Sequence, residues 1–317
     1  MKAIVRESYG NAQVLELKEV PVPKVGPKEV LVKVLAASVN KADVYMMQGK
    51  PFPLRFSIGL FKPKTIGLGA DVAGIVESIG TDVSQFKVGD EVFGDLSAGV
   101  FGSFAEYAVA SEESLALKPT GSSFEEAAAL PMAAVTALQG LRDADFVKSG
   151  DRVLINGASG GVGSYAIQIA KIHGAEVTAV CSSRNVEQAL RLGADFVIDY
   201  TKEDFTKGEK EYSVIFDMVA NHKVANLSKV LTKGGSYACG AFSTDLLLNS
   251  WKFKKRNQRS KLFMAKPTRS DLQLIAKWVE EGKLKAVIQK AYSLDDTPEA
   301  MERIQKGGMS GKLVVEV

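Results

Sequence analysis

Along the first 120 residues the apolar positions come in short alternating or nearly continuous runs. EVLVKVLAASVN (29–40) and ADVAGIVESIG (70–80) read as strands, and VPKVGPKE and KVGDEVFG, which carry Gly, Pro and Asp, read as the turns between such runs. The opening MKAIVRESYGNAQVLELKEV reads as strand, turn, strand, with no signal-peptide core. Near residue 122 the period changes. SSFEEAAALPMAAVTALQGL predicts a helix with Ser122 or Ser123 as N-cap and acids in its first turn. From there strands and helices alternate. RVLIN (152–156), EVTAVCS, FVIDY (196–200), YSVIFDMV (212–219) and GGSYACGAF (234–242) predict strands, and VGSYAIQIAKIHG and NVEQALRLG predict helices. Apolar strands separated by helices imply a parallel, doubly wound sheet covered on both faces. The tail GKLVVEV (311–317) is strand-like and is expected to return to the first domain. The expected fold class is α/β, with a β-rich domain over 1–121 completed by 290–317 and a doubly wound domain over 122–289.

INGASGGVG (155–163) falls between a buried strand and a helix, where a dinucleotide-binding turn sits. Counting from Ala158 gives A-x-G-x-x-G. Gly160 would let the backbone approach a pyrophosphate, and Gly163 would let helix and strand pack closely. Ala158, Ser159, Gly160, Gly161 and Val162 are thus candidate cofactor-binding residues, the free N–H groups of the helix start facing the phosphates. The second strand ends in Ser182-Ser183-Arg184, where an NAD-specific site usually has an acid for the ribose 2′-OH. Two hydroxyls and a guanidinium suit a 2′-phosphate instead, so the expected cofactor is NADPH. Tyr200, ending the third strand, is a further candidate on the adenosine side.

Composition narrows the function classes. A formal net charge of +3 on 317 residues argues against a nucleic-acid binder. The apolar runs end well short of the roughly 18 residues a membrane span needs, so no stable insertion is expected. The reading is a cytoplasmic protein. Two cysteines, Cys181 and Cys239, exclude a four-cysteine structural zinc site, and a disulfide framework is not expected in so long a chain. One stretch, WKFKKRNQRSKLF (251–263), is strongly basic. It reads as a solvated loop or helix face, with weak attraction to acidic membranes as the sharper alternative.

The order of a β-rich domain, AAALPMAAVTALQGL, DRVLINGASGGVGSYAIQIAK and GADFVIDY resembles the medium-chain dehydrogenase/reductase superfamily, in particular its zinc-independent quinone oxidoreductase branch. SVNKADVYMMQG, GADVAGIVESIG and VGDEVFG extend the likeness over nearly the whole chain. It implies a GroES-like catalytic domain beside a Rossmann NADPH-binding domain. Zinc-dependent members carry a cysteine where this chain has Asn40 and His-Glu where it has Ala70-Asp71, so no metal is expected. The implied activity is hydride transfer to a quinone or to the C=C bond of an α,β-unsaturated carbonyl, with metal-free carbonyl reduction and a non-catalytic NADPH-binding sensor as alternatives.

The resemblance places Asn40, Asp43 and Tyr45 near the nicotinamide. Tyr45 is the candidate O–H donor to the substrate oxygen, Asn40 would orient substrate or cofactor, and Asp43 would anchor the loop. It further implies cofactor contacts from Thr136, Val219-Ala220, Cys239, Gly240, Ala241, Phe263, Met264 and Lys312. The acid-free PFPLRFSIGLFKPKTIG (51–67) suggests a small apolar carbonyl or quinone substrate. A homodimer paired through the sheet edge near GGSYACGAF is also implied.

Overall fold

The computed structural model describes residues 1–142 and 147–317. The chain separates into two units: 1–135 with 266–282 and 286–317, and 136–265 with 283–285.

The first unit is built on strands β1 (Lys2–Val5), β2 (Glu16–Glu19), β3 (Glu29–Val39), β4 (Asp71–Ile79), β5 (Glu91–Asp95), β6 (Tyr107–Ser111) and β7 (Leu115–Leu117). β1 and β2 form an antiparallel pair, as the alternation in the first twenty residues predicts. Four strands of the second unit's sheet and its two outer members follow: β8 (Arg152–Asn156), β9 (Glu176–Cys181), β10 (Phe196–Asp199), β11 (Tyr212–Asp217), β12 (Leu231–Cys239) and β13 (Arg259–Leu262). The chain then returns to the first unit with β14 (Ile288–Ser293) and β15 (Lys312–Glu316). The first unit's main sheet runs β14-β15-β3-β4-β5-β7, with β6 also on β3. β15 pairs antiparallel with β3, Leu313 opposite Val39, so the strand-like tail does come back.

The unit boundaries differ from those the sequence suggested, for local reasons. The predicted long helix breaks at Pro131 into Phe124–Ala128 and Pro131–Arg142. The Met132 amide donates to Asp71 Oδ1 at 2.8 Å, which ties the start of the second helix to β4. The helix Arg269–Glu280 packs on β7, and Arg269 Nη2 donates to the Glu112 carbonyl at 2.6 Å.

The second unit is a six-stranded, all-parallel sheet in the order β10-β9-β8-β11-β12-β13. Its interior strands β8, β9 and β11 are nearly continuously buried, as a sheet covered on both faces requires. Two sequence expectations change here. Arg259–Leu262, inside the basic stretch, is the sixth strand rather than a loop or helix face, in parallel register with Ser236–Cys239. GGSYACGAF therefore supplies an interior strand, and the sheet ends at β13. Its polar RSKL pattern hides the strand because an edge strand buries little and carries charge by design. Among the described residues no helix is long and apolar enough to cross a membrane.

Candidate functional site

In the second unit, β8 ends at Asn156 and the chain turns through Gly157, Ala158 and Ser159 into the helix Gly161–Ile172, with Gly160 as its N-cap. The left-handed residue of the turn is Gly157, at φ +86°, one position before the Ala158 that spacing put at the head of the fingerprint. Ala158 is fully buried, and its amide donates to the Val180 carbonyl at 3.1 Å. The working pattern is Gly157, Gly160, Gly163. A Cβ on Gly163 would lie 2.2 Å from the Gly157 carbonyl oxygen, so this glycine permits the close approach of helix and turn. A Cβ on Gly160 would meet only that same oxygen, at 3.6 Å. The space above Gly160 is open, and the first amides of a three-turn helix point toward it. These residues fit a dinucleotide pyrophosphate.

Next to this cradle lies a polar arrangement that spacing did not reveal. Asn156 and Asp217 end neighbouring strands in register, and Asn156 Nδ2 donates to Asp217 Oδ1 at 2.9 Å. The same oxygen accepts the amides of Val219 and Ala220, both at 2.9 Å, while Oδ2 accepts the Tyr237 hydroxyl at 3.0 Å. The buried carboxylate thereby holds Val219 and Ala220 in a tight loop, with Ala220 at a positive φ of 58° that a non-glycine residue seldom adopts. A strand-end Asn and a strand-end Asp, one strand apart in the sheet, were the available signal.

The adenosine side shows a second unforeseen acid. The Ser183 hydroxyl donates to Asp199 at the end of β10, and the Thr201 hydroxyl donates to the other oxygen of Asp199 at 2.7 Å. These bonds hold the Asp199 carboxyl well below the usual carboxylate range. Arg184 and Tyr200 are exposed beside it, and Ser182 and Thr136 are half-buried. At the end of β12, Cys239 is buried, and desolvation pushes its thiol up. Its Sγ donates to the Ala241 carbonyl at 3.1 Å. A Cβ on Gly240 would lie 2.6 Å from Met218 Sδ, a flexible side-chain end that would have to shift to make room. Phe263 stacks at a tilt on Phe216, 5.8 Å between centroids, and Met264 is 89% exposed.

In the first unit the sequence-predicted Asn40 and Lys312 are brought together, 272 residues apart. Lys312 Nζ donates to Asn40 Oδ1 at 2.6 Å and to Asp71 Oδ2 at 3.0 Å. Asp71 Oδ2 also accepts from the Ser38 hydroxyl at 2.6 Å and from Asn40 Nδ2 at 2.9 Å. With Met132 on Oδ1, every oxygen of this fully buried carboxylate is bonded. Asp43, predicted to anchor its loop, accepts the Asn40 amide at 2.7 Å and caps the helix Lys41–Gln48. Tyr45 lies on that helix, 48% exposed.

Zinc would need thiolate, imidazole or paired carboxylate donors. The positions where the resemblance puts zinc ligands hold an amide, an alanine and a carboxylate already paired with an ammonium. Among the described residues no three His, Cys, Asp or Glu side chains converge as metal ligands would. This donor set does not fit the metal.

Two more acids surround the same ammonium. Burial, with Asp71 adding repulsion, pushes the Asp43 carboxyl up to about 7 and that of Asp95 up to about 6. Both bind their proton in the fold at pH values where an unfolded chain has released it. The resulting stabilisation is complete below about pH 4 and is lost as pH rises through these folded-state values. Asp43→Asn keeps an acceptor for the Asn40 amide and removes the buried charge. Thermal unfolding followed from about pH 5 to about pH 8 should show a clear loss of stability in the parent and a flatter profile in the variant. Equal slopes would mean that Asp43 does not titrate in this window.

Residues 26–120 match the alcohol dehydrogenase GroES-like domain, and residues 192–315 match the zinc-binding dehydrogenase family. A 2-methylene-furan-3-one reductase of Solanum lycopersicum is 37% identical over 99% of this chain and 79% of its own. An NADPH-dependent alkenal/one oxidoreductase, chloroplastic, of Arabidopsis thaliana is 34% identical over the same shares. The solved quinone oxidoreductase of Coxiella burnetii superposes with a TM-score of 0.88 at 33% identity, covering 100% of this chain and 99% of that one. A GroES-like β domain, a parallel sheet in dinucleotide-binding order and relatives that align over 99% or more of this chain together make it a member of the medium-chain dehydrogenase/reductase superfamily, in the branch of the quinone oxidoreductases and enone reductases.

Proposed function

We propose that the chain is a zinc-independent, NADPH-dependent reductase of quinones or of the C=C bond of α,β-unsaturated carbonyls. The observation that carries this reading is the Asn40–Asp71–Lys312 cluster. A carbonyl reductase of this fold that relies on a Lewis acid needs metal ligands at these positions, and here they are closed by a buried ion pair. Quinones and enones are already polarised, so they accept hydride without such help. Relatives named as a 2-methylene-furan-3-one reductase and an alkenal/one oxidoreductase support the same substrate class.

NADPH, when bound, supplies a hydride. The chain's own residues do the rest. Gly160, Gly161 and Val162, with Ser159, hold the pyrophosphate at the helix start. Ser182 and Arg184 meet the 2′-phosphate while Ser183 is held by Asp199. Tyr200 and Val219 flank the adenosine. Thr136, Ala241, Met264 and the backbone of Cys239 and Gly240 serve the nicotinamide half, with Phe263 packing behind them and Ala158 beneath the turn. Lys312 acts through Asn40, whose side chain it fixes. Tyr45 would donate a hydrogen bond from its phenolic O–H to the oxygen that gains charge when the β-carbon accepts a hydride. The α-carbon then takes a proton from water or from Tyr45. The exposed Phe52, Phe56 and Phe61 suit an apolar substrate tail. We further propose a cytoplasmic homodimer joined through β13, which ends the sheet; both cysteines are free and buried.

Product analysis tests the reading. The protein is incubated with a conjugated enone, a chelator and NADPH, with NADH in parallel. A saturated ketone formed preferentially from NADPH is expected. An allylic alcohol would show carbonyl reduction instead. Tight NADPH binding with no turnover of enone or quinone would leave a sensor and overturn the proposal.

A further inference from the structure

Residues 251–258 of the basic stretch have no part in the proposed chemistry, and the structure gives them a shape. Thr244–Asn249 and Trp251–Lys255 are helices joined at Ser250, whose φ −55° and ψ −26° are helical. The Ser250 amide donates to the Leu246 carbonyl at 3.0 Å, so the helical path runs on through the junction. Leu246 and Phe253 lie on one side of it and are buried, 3% and 0% exposed, with Phe253 stacked on Tyr237. At a helical turn of about 100° per residue, Leu247, Trp251, Lys255, Leu248 and Lys252 occupy an arc of roughly 140° centred opposite that face. Leu247, Leu248 and Trp251 are 57%, 75% and 48% exposed. Lys255 and Lys252 place Nζ 4.6 and 5.7 Å from the Trp251 ring.

The charge around this face is one-sided. Six Lys or Arg residues lie between 252 and 261, and no Asp or Glu occurs from 246 to 270. The acid that precedes the helix, Asp245, is turned inward: it accepts the Val224 amide at 2.7 Å and the Asn249 side chain at 2.9 Å. A soluble surface helix would present its polar side to water. This one instead presents two leucines and a tryptophan, interleaved with lysines whose stems can lie along apolar surface while the ammonium reaches outward.

We propose that this face binds the surface of an anionic lipid bilayer. Leu247, Leu248 and Trp251 enter the headgroup boundary, and Lys252, Lys254, Lys255 and Arg256 pair with lipid phosphates. Charge complementarity selects the partner: a bilayer rich in anionic headgroups meets both the cations and the apolar side chains. The binding is peripheral and reversible, and it places a reductase of apolar carbonyls or quinones where such compounds partition.

The test uses the full chain with vesicles of phosphatidylcholine, with or without phosphatidylglycerol, at low and at higher salt. Trp251 reports directly, because the other tryptophan, Trp278, is buried. On anionic vesicles at low salt the protein should co-sediment, its emission should shift to the blue, and acrylamide should quench it less. Lys252→Glu with Lys255→Glu should weaken binding by about tenfold or more. Leu248→Ser with Trp251→Ser should also weaken it while leaving the melting temperature unchanged. Three outcomes overturn the proposal: no binding at low salt, co-sedimentation that both variants retain, or a blue shift that appears with protein concentration in the absence of lipid. The last would assign the face to a second copy of the chain.

Discussion

Lys312→Met is expected to lose about 3 to 5 kcal/mol of stability, because removing one partner of a buried ion pair strands the other. Asp71 has no exposed surface, and among the described residues Lys312 is the one cation bonded to it. Without the ammonium, Asp71 retains the Ser38 hydroxyl, the Asn40 amide group and the Met132 N–H, but these are dipoles facing a full charge. Asn40 Oδ1 loses its donor at the same time. Urea unfolding of Lys312→Met, Asp71→Asn and the double variant makes the cycle. The double variant should recover much of the loss, because the stranded charge is gone. Additive losses would mean that the pair contributes nothing as a pair. The same series has a kinetic readout. If Lys312 positions Asn40, Lys312→Arg should keep more of kcat/KM than Lys312→Met does, in proportion to how well the wider guanidinium reaches the amide.

The cluster also shows what a linear reading can and cannot reach. Asn40 and Lys312 were both singled out in the sequence, each for a resemblance, yet nothing in their local patterns puts one against the other. Their contact depends on β15 pairing with β3, and strand partners far apart in the chain leave no periodic trace. The turn at Gly157–Gly163 was legible because its parts are consecutive: an apolar strand, glycines at helical-start spacing and an apolar helix. Even there spacing could not say which glycine carries the positive φ, and the structure gives it to Gly157, just ahead of the counted pattern. β13 was hidden for the opposite reason to the interior strands. Its residues answer to solvent and charge, so its apolar content is too low to mark it. Asp199 escaped notice because it sits on a different strand from the serine it binds, although the two strands are neighbours in the sheet.

Gly160→Ala and Gly163→Ala should separate cofactor affinity from folding. At Gly163 the added methyl would sit 2.2 Å from the Gly157 carbonyl oxygen and 2.7 Å from Ala158 Cα. Both are backbone atoms of a turn anchored by the Ala158 amide on Val180, so neither can yield as a side-chain tip would. The helix Gly161–Ile172 must move off the turn, at an overpacking cost of about 1 to 3 kcal/mol. The melting temperature of the apo protein should fall by several degrees, and NADPH affinity should fall with it, because the amides no longer converge. At Gly160 the methyl meets nothing nearer than 3.6 Å, so the apo protein should melt as the parent does. NADPH affinity should still drop by at least about tenfold, since the methyl fills the space the pyrophosphate needs. Calorimetric titration with NADPH beside thermal melts of the apo proteins distinguishes the two. Unchanged NADPH affinity in Gly160→Ala would move the dinucleotide away from this turn, and the proposed cofactor site with it. Loss of affinity without loss of stability at position 160, against loss of both at 163, would fix the pyrophosphate above Gly160.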